Sequence, residues 1–184
     1  MSDWIEKRLG QLGIDVRQSK HNSEMNHYLE LLREEIRITE RFLSEDGQPP
    51  TMDAPTIWKP SNVYPSAKLG KRVSVGMFSE IGNNVIVGDL TRIGKGSFIP
   101  EGVTIGKDCF IGPHCCFTND RFPPSPNWEK TIVEDNAAIG AGVTVLCGVV
   151  IGTSSIIGCG SVVTKSVPPH EIWAGVPAKK LRNR

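Results

Sequence analysis

An aliphatic side chain returns at every sixth position through most of this chain. One series of ten such residues runs from Ile57 to Ile111, and a second series of six runs from Val133 to Val163. A glycine directly follows many of them, as at Gly76. A six-residue period fits neither a 3.6-residue helix nor a simple two-residue strand alternation. It does fit identical turns stacked on one another, so the pattern predicts a β-solenoid.

The position two residues before each aliphatic residue mostly carries a small side chain, for example Ser79 or Thr91. Because alternate residues of a strand face the same side, each repeat sends one small and one large side chain inward. The glycine then falls where the chain must turn and a side chain would be in the way. Cys109 and Cys115 occupy the small inward positions, so we expect them to pack in the core rather than to do chemistry.

The register breaks once, between Phe117 and Val133. These residues are sixteen positions apart, which is not a multiple of six. The stretch from about 118 to 131 is rich in proline and cannot continue a β-coil, so it must leave the solenoid as a loop. Loops on a rigid scaffold often carry function, and this one contains polar and aromatic candidates at Asn119, Asp120, Arg121 and Trp128.

Three segments are predicted. Residues 1–50 form an N-terminal helical segment, with one helix from Ser2 to Leu12 and a stronger amphipathic helix from Ser23 to about Ser44. We expect these helices to cover the open N-terminal end of the solenoid; the alternative is a role in subunit contacts or the acceptor site. The solenoid with its loop spans residues 51–168, and residues 169–184 form a C-terminal tail that follows two prolines.

Composition excludes several classes of protein. The formal net charge of +1 over 184 residues lacks the basic surplus of a nucleic-acid-binding protein. The chain has no long apolar run and no apolar signal-peptide core near Met1, so we expect no membrane span. Five cysteines are an odd number without a disulfide framework, which favours the reducing cytoplasm.

Two C-terminal runs, residues 158–165 and 174–179, resemble the acetyl-CoA signature of the hexapeptide-repeat acyltransferase family. The resemblance implies a left-handed parallel β-helix, mainly β with an N-terminal helical segment and one extruded loop. It also implies a homotrimer that binds acetyl-CoA between subunits, without a metal. Matched by position, the implied cofactor-binding residues are Ala141, Cys159, Thr164, Lys165, Lys179 and Arg182. The family usually has alanine where this chain has Cys159.

The segment from Gly112 to Pro124 is similar to the sugar-nucleotide N-acetyltransferase branch, in which a Phe-Thr-Asn-Asp run opens the loop over the active site. The similarity implies that Asn119 and Asp120 contact the acceptor amine and that Arg121 meets an acceptor phosphate. Trp128 either covers the acceptor or pins the loop. The branch usually has asparagine at the position of His114, which is a base, an acceptor contact or a surface-turn residue.

No histidine lies between Phe117 and Val133, where O-acetylating relatives carry their catalytic base. An amine acceptor needs a base less than a hydroxyl does, so the missing histidine favours an amine. The similarity to the sugar-nucleotide branch then implies transfer of acetyl to an amino sugar linked to UDP or dTDP. The alternatives are O-acetylation with His114 as base and a non-catalytic assembly module. A three-histidine metal site is rejected because His114 is the only histidine expected inside the coils. A zinc site at Cys115 and Cys116 is unlikely because adjacent strand residues face opposite sides.

Overall fold

The computed structural model describes residues 53–184, which form a left-handed parallel β-helix of about seven coils. The strands are β1 (Thr56–Ile57), β2 (Asn62–Val63), β3 (Lys68–Leu69), β4 (Ser74–Val75), β5 (Glu80–Ile81), β6 (Ile86–Val87), β7 (Arg92–Ile93), β8 (Phe98–Ile99), β9 (Val103–Ile105), β10 (Phe110–Ile111), β11 (Cys116–Phe117), β12 (Thr131–Val133), β13 (Ala138–Ile139), β14 (Thr144–Val145), β15 (Val150–Ile151), β16 (Ile156–Ile157), β17 (Val162–Val163), β18 (Glu171–Gly175) and β19 (Ala178–Asn183). The helices predicted within residues 1–50, and their predicted packing on the solenoid, lie outside the described residues.

Every third strand belongs to the same sheet, so each coil contributes one strand to each of three faces. Sheet A has the order β1-β4-β7-β10-β13-β16-β18-β19, sheet B has β17-β14-β11-β8-β5-β2, and sheet C has β15-β12-β9-β6-β3. In sheet A, Thr56 pairs with Ser74 and Ser74 pairs with Arg92. Each step is 18 residues, which is three six-residue repeats. The predicted stacking of identical repeats is therefore confirmed.

The predicted loop is an insertion of ten residues into one coil. Phe110 pairs with Ala138, so this coil takes 28 residues where its neighbours take 18, and 28 − 18 = 10. The extra residues lie between β11 and β12. Because Thr131 still pairs with Val103, the loop leaves and re-enters the β-helix without disturbing the stacking above it.

The core consists of continuous columns of stacked side chains. Ile93, Ile111 and Ile139 follow one another in register through sheet A and are almost fully buried. The small inward positions are buried as well, including Cys109 and Cys115, which confirms the prediction that these two residues pack in the core. Burial also raises the pKa of both thiols, so they remain neutral and unreactive.

Glycine after the strand is required by the close approach of successive coils. At Gly112, an added Cβ would lie 2.6 Å from the backbone nitrogen of Ala141 in the next coil. Stacked backbones at ~4.8 Å spacing leave no room for a side chain there.

The stacking continues beyond Pro168 and Pro169. Val167 bridges in parallel to Ile151, β18 pairs in parallel with β16, and β19 returns antiparallel along β18. The residues predicted as a tail therefore add a final partial coil and a hairpin. None of residues 53–184 forms a helix long and apolar enough to cross a membrane.

Candidate functional site

The turns between the sheets stack into three edges that run along the β-helix. Edge 1, which joins sheet A to sheet B, contains the turns 58–61, 76–79, 94–97, 112–115, 140–143 and 158–161. Edge 2, which joins sheet B to sheet C, contains the loop together with the turns 146–149 and 164–167. Edge 3 joins sheet C to sheet A through the turns 70–73, 88–91, 106–109, 134–137 and 152–155.

His114 stands on edge 1 between two glycines. The third residue has a positive φ in the five edge 1 turns from 76–79 to 158–161, at Phe78, Gly96, His114, Gly142 and Gly160. The imidazole lies over Gly96, where an added Cβ would be 2.6 Å from Nδ1. On the other side, an added Cβ at Gly142 or Gly160 would meet nothing within 4 Å. The ring therefore has open space along the edge toward the C-terminus.

Backbone N–H groups are also left open on edge 1. In three edge 3 turns the second residue donates its N–H to a carboxylate in a neighbouring coil: Lys71 to Asp89 at 2.9 Å, Lys107 to Asp135 at 2.7 Å and Thr153 to Glu134 at 2.7 Å. The equivalent N–H groups of Ala141 and Cys159 on edge 1 have no acceptor within residues 53–184. We call Ala141, Gly142, Cys159 and Gly160 the donor lane. The donor lane offers unpaired backbone N–H groups, and the side chains of its four residues are small.

The loop is pinned to the β-helix at both ends. At its start, the N–H of Cys147 donates to Oγ1 of Thr118 at 3.0 Å. At its end, the N–H of Glu129 donates to the carbonyl of Asn119 at 3.0 Å. The Glu129 carboxylate occupies the space directly above Gly148. These contacts hold the predicted acceptor residues on edge 2.

Asp120 organises the interior of the loop. Its two carboxylate oxygens accept the N–H groups of Phe122 at 3.0 Å and of Ser125 at 2.7 Å. Burial alone would raise the pKa of Asp120, but these hydrogen bonds outweigh it and the pKa is lowered. The carboxylate is therefore charged at neutral pH and shapes the loop; its contact with an acceptor amine stays a prediction.

Arg121 and Trp128 are both accessible in the loop. Arg121 Nη1 lies 3.3 Å from Oε2 of Glu129, and the two side chains are about two-fifths exposed. Trp128 is exposed, so it does not pin the loop through burial. Glu129 was not predicted as a functional residue from the sequence, because its partner Gly148 lies in the coil above and outside the loop.

The predicted cofactor-binding residues lie on two edges of the same chain. Ala141 and Cys159 lie on edge 1 near His114, whereas Thr164 and Lys165 lie on edge 2 with the loop. Four residues of extended chain, about 13 Å, separate His114 from Thr118, where the loop begins. No hydrogen bond within residues 53–184 joins His114 to the loop.

A β-bulge in the C-terminal hairpin brings Lys179 and Arg182 to one face. Ile172 pairs with Arg182 and Ala174 pairs with Lys179, but the register shifts between Ile172 and Trp173. Without this shift, residues three apart on a strand would face opposite sides. Trp173 packs against the core, so Lys179 and Arg182 face outward on sheet A.

Lys180 lies on the other face of the hairpin. Its ammonium bonds to Glu171 at 2.5 Å, and the same carboxylate accepts the Trp173 indole N–H at 2.7 Å. Hydrogen bonds from Lys180 and Trp173 lower the pKa of Glu171. Lys180 is thus used structurally, which leaves Lys179 and Arg182 as the outward cations of this strand.

No group of three potential metal ligands is found within residues 53–184. Cys115 is buried whereas Cys116 is exposed, as expected for adjacent strand residues. The expectation that His114 is the only histidine in the coils is wrong: His170 occupies an edge 3 turn, with its N–H bonded to Thr153. It lies on a different edge from His114, so the two do not converge.

Two family models match this chain. The model for the bacterial transferase hexapeptide (six repeats) matches residues 84–119, and the model for the hexapeptide repeat of succinyl-transferase matches residues 130–165. The matches end and resume on either side of the ten-residue insertion.

Relatives of known sequence match over short stretches. A galactoside O-acetyltransferase from Lactococcus lactis is 38% identical over 80 residues, which are 39% of this chain and 39% of that protein. A Schizosaccharomyces pombe protein named as an acetyltransferase is 54% identical over 50 residues, which are 27% of this chain and 24% of that protein. The matches therefore span less than half the length of these curated relatives.

Solved structures match over more of the chain. PerB from Caulobacter crescentus, in complex with CoA and GDP-perosamine, superimposes with a TM-score of 0.64 at 28% identity, covering 82% of this chain and 65% of that chain. The N-acyltransferase AntD from Bacillus cereus, in complex with dTDP and 3-hydroxybutyryl-CoA, gives a TM-score of 0.65 at 20% identity, covering 83% and 88%. At that identity AntD shows the shared fold alone.

Proposed function

Because this chain belongs to the hexapeptide-repeat acyltransferase family, we propose that it is an acetyl-CoA-dependent N-acetyltransferase acting on a nucleotide-linked amino sugar. The observation that carries the proposal is edge 1 itself. His114 stands at the N-terminal end of the donor lane, whose N–H groups and open glycines leave space for an extended acyl carrier. PerB, the 28% identical structural neighbour, was solved with CoA and a nucleotide-linked amino sugar.

The donor lane suits the pantetheine arm of acetyl-CoA. The N–H groups of Ala141 and Cys159 can donate to its amide carbonyls, as unpaired backbone donors require a partner when covered. Lys179 and Arg182, at the C-terminal end of the β-helix, then offer point-charge and bidentate contacts to its phosphates. No metal takes part in this scheme.

The division of the site between two edges supports the homotrimer that the family resemblance implies. Thr164, Lys165 and the loop lie on edge 2, about 13 Å along the coil from His114. A bound acetyl-CoA can reach both sets if edge 1 of one copy faces edge 2 of the next. We therefore propose that Asn119 and Asp120 meet an acceptor held against the His114 of a neighbouring copy.

The chemistry needs one neutral amine and a way to remove its second proton. The amine lone pair forms a C–N bond with the thioester carbonyl carbon, and the C–S bond breaks so that the thiol leaves with a proton. A neutral amine attacks once it is correctly placed. The main role of His114 is therefore to orient the acceptor, and removal of the amine proton by its imidazole is a secondary contribution to the rate. Asp120, whose pKa is lowered, carries the negative charge that attracts an ammonium acceptor.

A second candidate function is O-acetylation of a sugar with His114 as general base. It is favoured by the 38% identity to a galactoside O-acetyltransferase and by the accessible imidazole. A hydroxyl needs its proton removed in the transition state, an effect worth about 100- to 10,000-fold in rate.

Mass spectrometry of products tests both functions. The protein is incubated with acetyl-CoA and a panel of UDP-, dTDP- and GDP-linked amino sugars, beside the matching hydroxy sugars. Gain of one acetyl group on an amine is expected; acetylation of hydroxyls alone would refute amine specificity. His114→Asn should lower the rate modestly, whereas a loss of 100-fold or more would make His114 the base. If the protein forms no product and binds no CoA, the enzyme proposal fails and the remaining interpretation is a non-catalytic assembly module.

A further inference from the structure

The N-terminal half of edge 1 exposes two large aromatic side chains. Phe78 is 69% exposed and Trp58 is 54% exposed, and both lie in edge 1 turns on the N-terminal side of His114. Exposed aromatic rings grouped on one edge indicate a surface that binds something. The donor lane lies on the opposite side of His114, so these rings are not part of it.

Phe78 also occupies a backbone position that disfavours it. Its φ is +61°, in the left-handed region where a bulky side chain is unfavourable. The equivalent edge 1 positions in later coils are Gly96, Gly142 and Gly160, apart from His114. Glycine would therefore satisfy the turn better, so the backbone of residues 53–184 does not require the phenyl ring.

A cation lies between Phe78 and His114. Lys95 is in the turn one coil below His114, whose N–H donates to the Lys95 carbonyl at 2.9 Å. Its side chain is exposed, and no carboxylate within residues 53–184 forms an ion pair with it. The imidazole of His114 covers Gly96, the next residue, so Lys95 is the exposed cation of this coil nearest to His114 along edge 1.

We propose that Trp58, Phe78 and Lys95, here called the nucleotide lane, bind the nucleoside diphosphate of the acceptor. Lys95 contacts the phosphates, and the base stacks on the exposed rings. Phe78 is two coils below His114, or about 10 Å at ~4.8 Å a coil. That distance lets a sugar amine reach His114 while the nucleotide extends toward the N-terminus. The assignment rests on the proposed function, and it places the nucleotide on edge 1 rather than at Arg121 in the loop.

Matched pairs of variants test the lane. Phe78→Gly removes the ring and leaves the turn its preferred residue, so the fold should be kept. Its control is Leu90→Gly, which removes an exposed apolar side chain at the same turn position of edge 3, where φ is +63°. Lys95→Ala is compared with Lys107→Ala, which occupies the equivalent position of edge 3; there the backbone N–H donates to Asp135 and the backbone carbonyl accepts from Asn136.

Binding of UDP, dTDP and GDP is measured by calorimetry, with CoA binding as a parallel readout. Phe78→Gly and Lys95→Ala should each weaken nucleotide binding about tenfold, since base stacking and a phosphate contact are typically of this size. CoA affinity should be unchanged, and the two controls should behave as the wild type. In turnover, KM for the nucleotide-linked acceptor should rise while KM for acetyl-CoA stays constant.

Two results would overturn the assignment. One is nucleotide affinity that does not change in Phe78→Gly and Lys95→Ala. The other is a wild-type protein that binds CoA and acetylates amino sugars but binds none of the three nucleotides. Failure of the proposed function is distinguishable, because it shows as loss of CoA binding and of product in the wild type.

Discussion

Gly142→Asn should weaken acetyl-CoA binding at least tenfold without unfolding the protein. Asparagine is chosen because this turn position already accepts it: Asn84 and Asn136 occupy it on the other two edges, with φ values of +57° and +60°. An added Cβ at Gly142 meets nothing within 4 Å. Since asparagine tolerates the left-handed region, we expect a stability loss below about 1 kcal/mol.

The effect on binding follows from the geometry of the donor lane. The new side chain would cover about one coil spacing, ~4.8 Å. Removing roughly 60 Å² of apolar contact from the pantetheine arm, at about 25 cal/mol per Å², costs about 1.5 kcal/mol or tenfold in affinity. Steric overlap with the arm adds to this, so we expect at least a tenfold loss.

Calorimetry with CoA and thermal unfolding measure the two expectations separately. Gly142→Asn should shift the melting temperature by less than about 4 °C while CoA affinity falls. Ser154→Asn, at the same turn position of edge 3 with φ of +55°, should leave both unchanged. Wild-type CoA affinity in Gly142→Asn would refute the donor lane, and unfolding of that variant would refute the open space at this turn.

Three further outcomes are expected. Ile157→Ala removes a fully buried core side chain and should lower the free energy of unfolding in urea by about 3 kcal/mol. Ile156 faces outward, so Ile156→Ala should lower it by less than about 1 kcal/mol. Equal losses would contradict the inward–outward alternation. Glu129→Gln weakens an exposed ion pair worth at most about 1 kcal/mol, so melting should barely change while KM for the acceptor rises and KM for acetyl-CoA does not. A thiol reagent should label the exposed Cys116 and Cys159 within residues 53–184 before the buried cysteines, whose early labelling would indicate an open core.

The sequence alone determined the architecture of residues 53–184. Three local signals carried this prediction: an aliphatic side chain at every sixth position, a glycine directly after it, and a small residue two positions before it. Each of these signals has one physical explanation in a stack of identical coils. The sixteen-residue spacing between Phe117 and Val133 likewise predicted an inserted loop, and the strand pairing then fixed the size of the insertion at ten residues. Periodicity is visible in sequence because every coil repeats the same packing problem.

Only the tertiary structure decided how the candidate residues are distributed. Cys159 and Thr164 belong to one sequence signature but lie on different edges, because each six-residue step turns the chain to another face. The bulge that brings Lys179 and Arg182 to one side depends on pairing with β18, which no strand periodicity indicates. Open N–H groups on edge 1, and the carboxylates that cap their counterparts on edge 3, depend on contacts between successive coils. Such contacts join residues 18 or more apart, so they are set by stacking and not by local sequence.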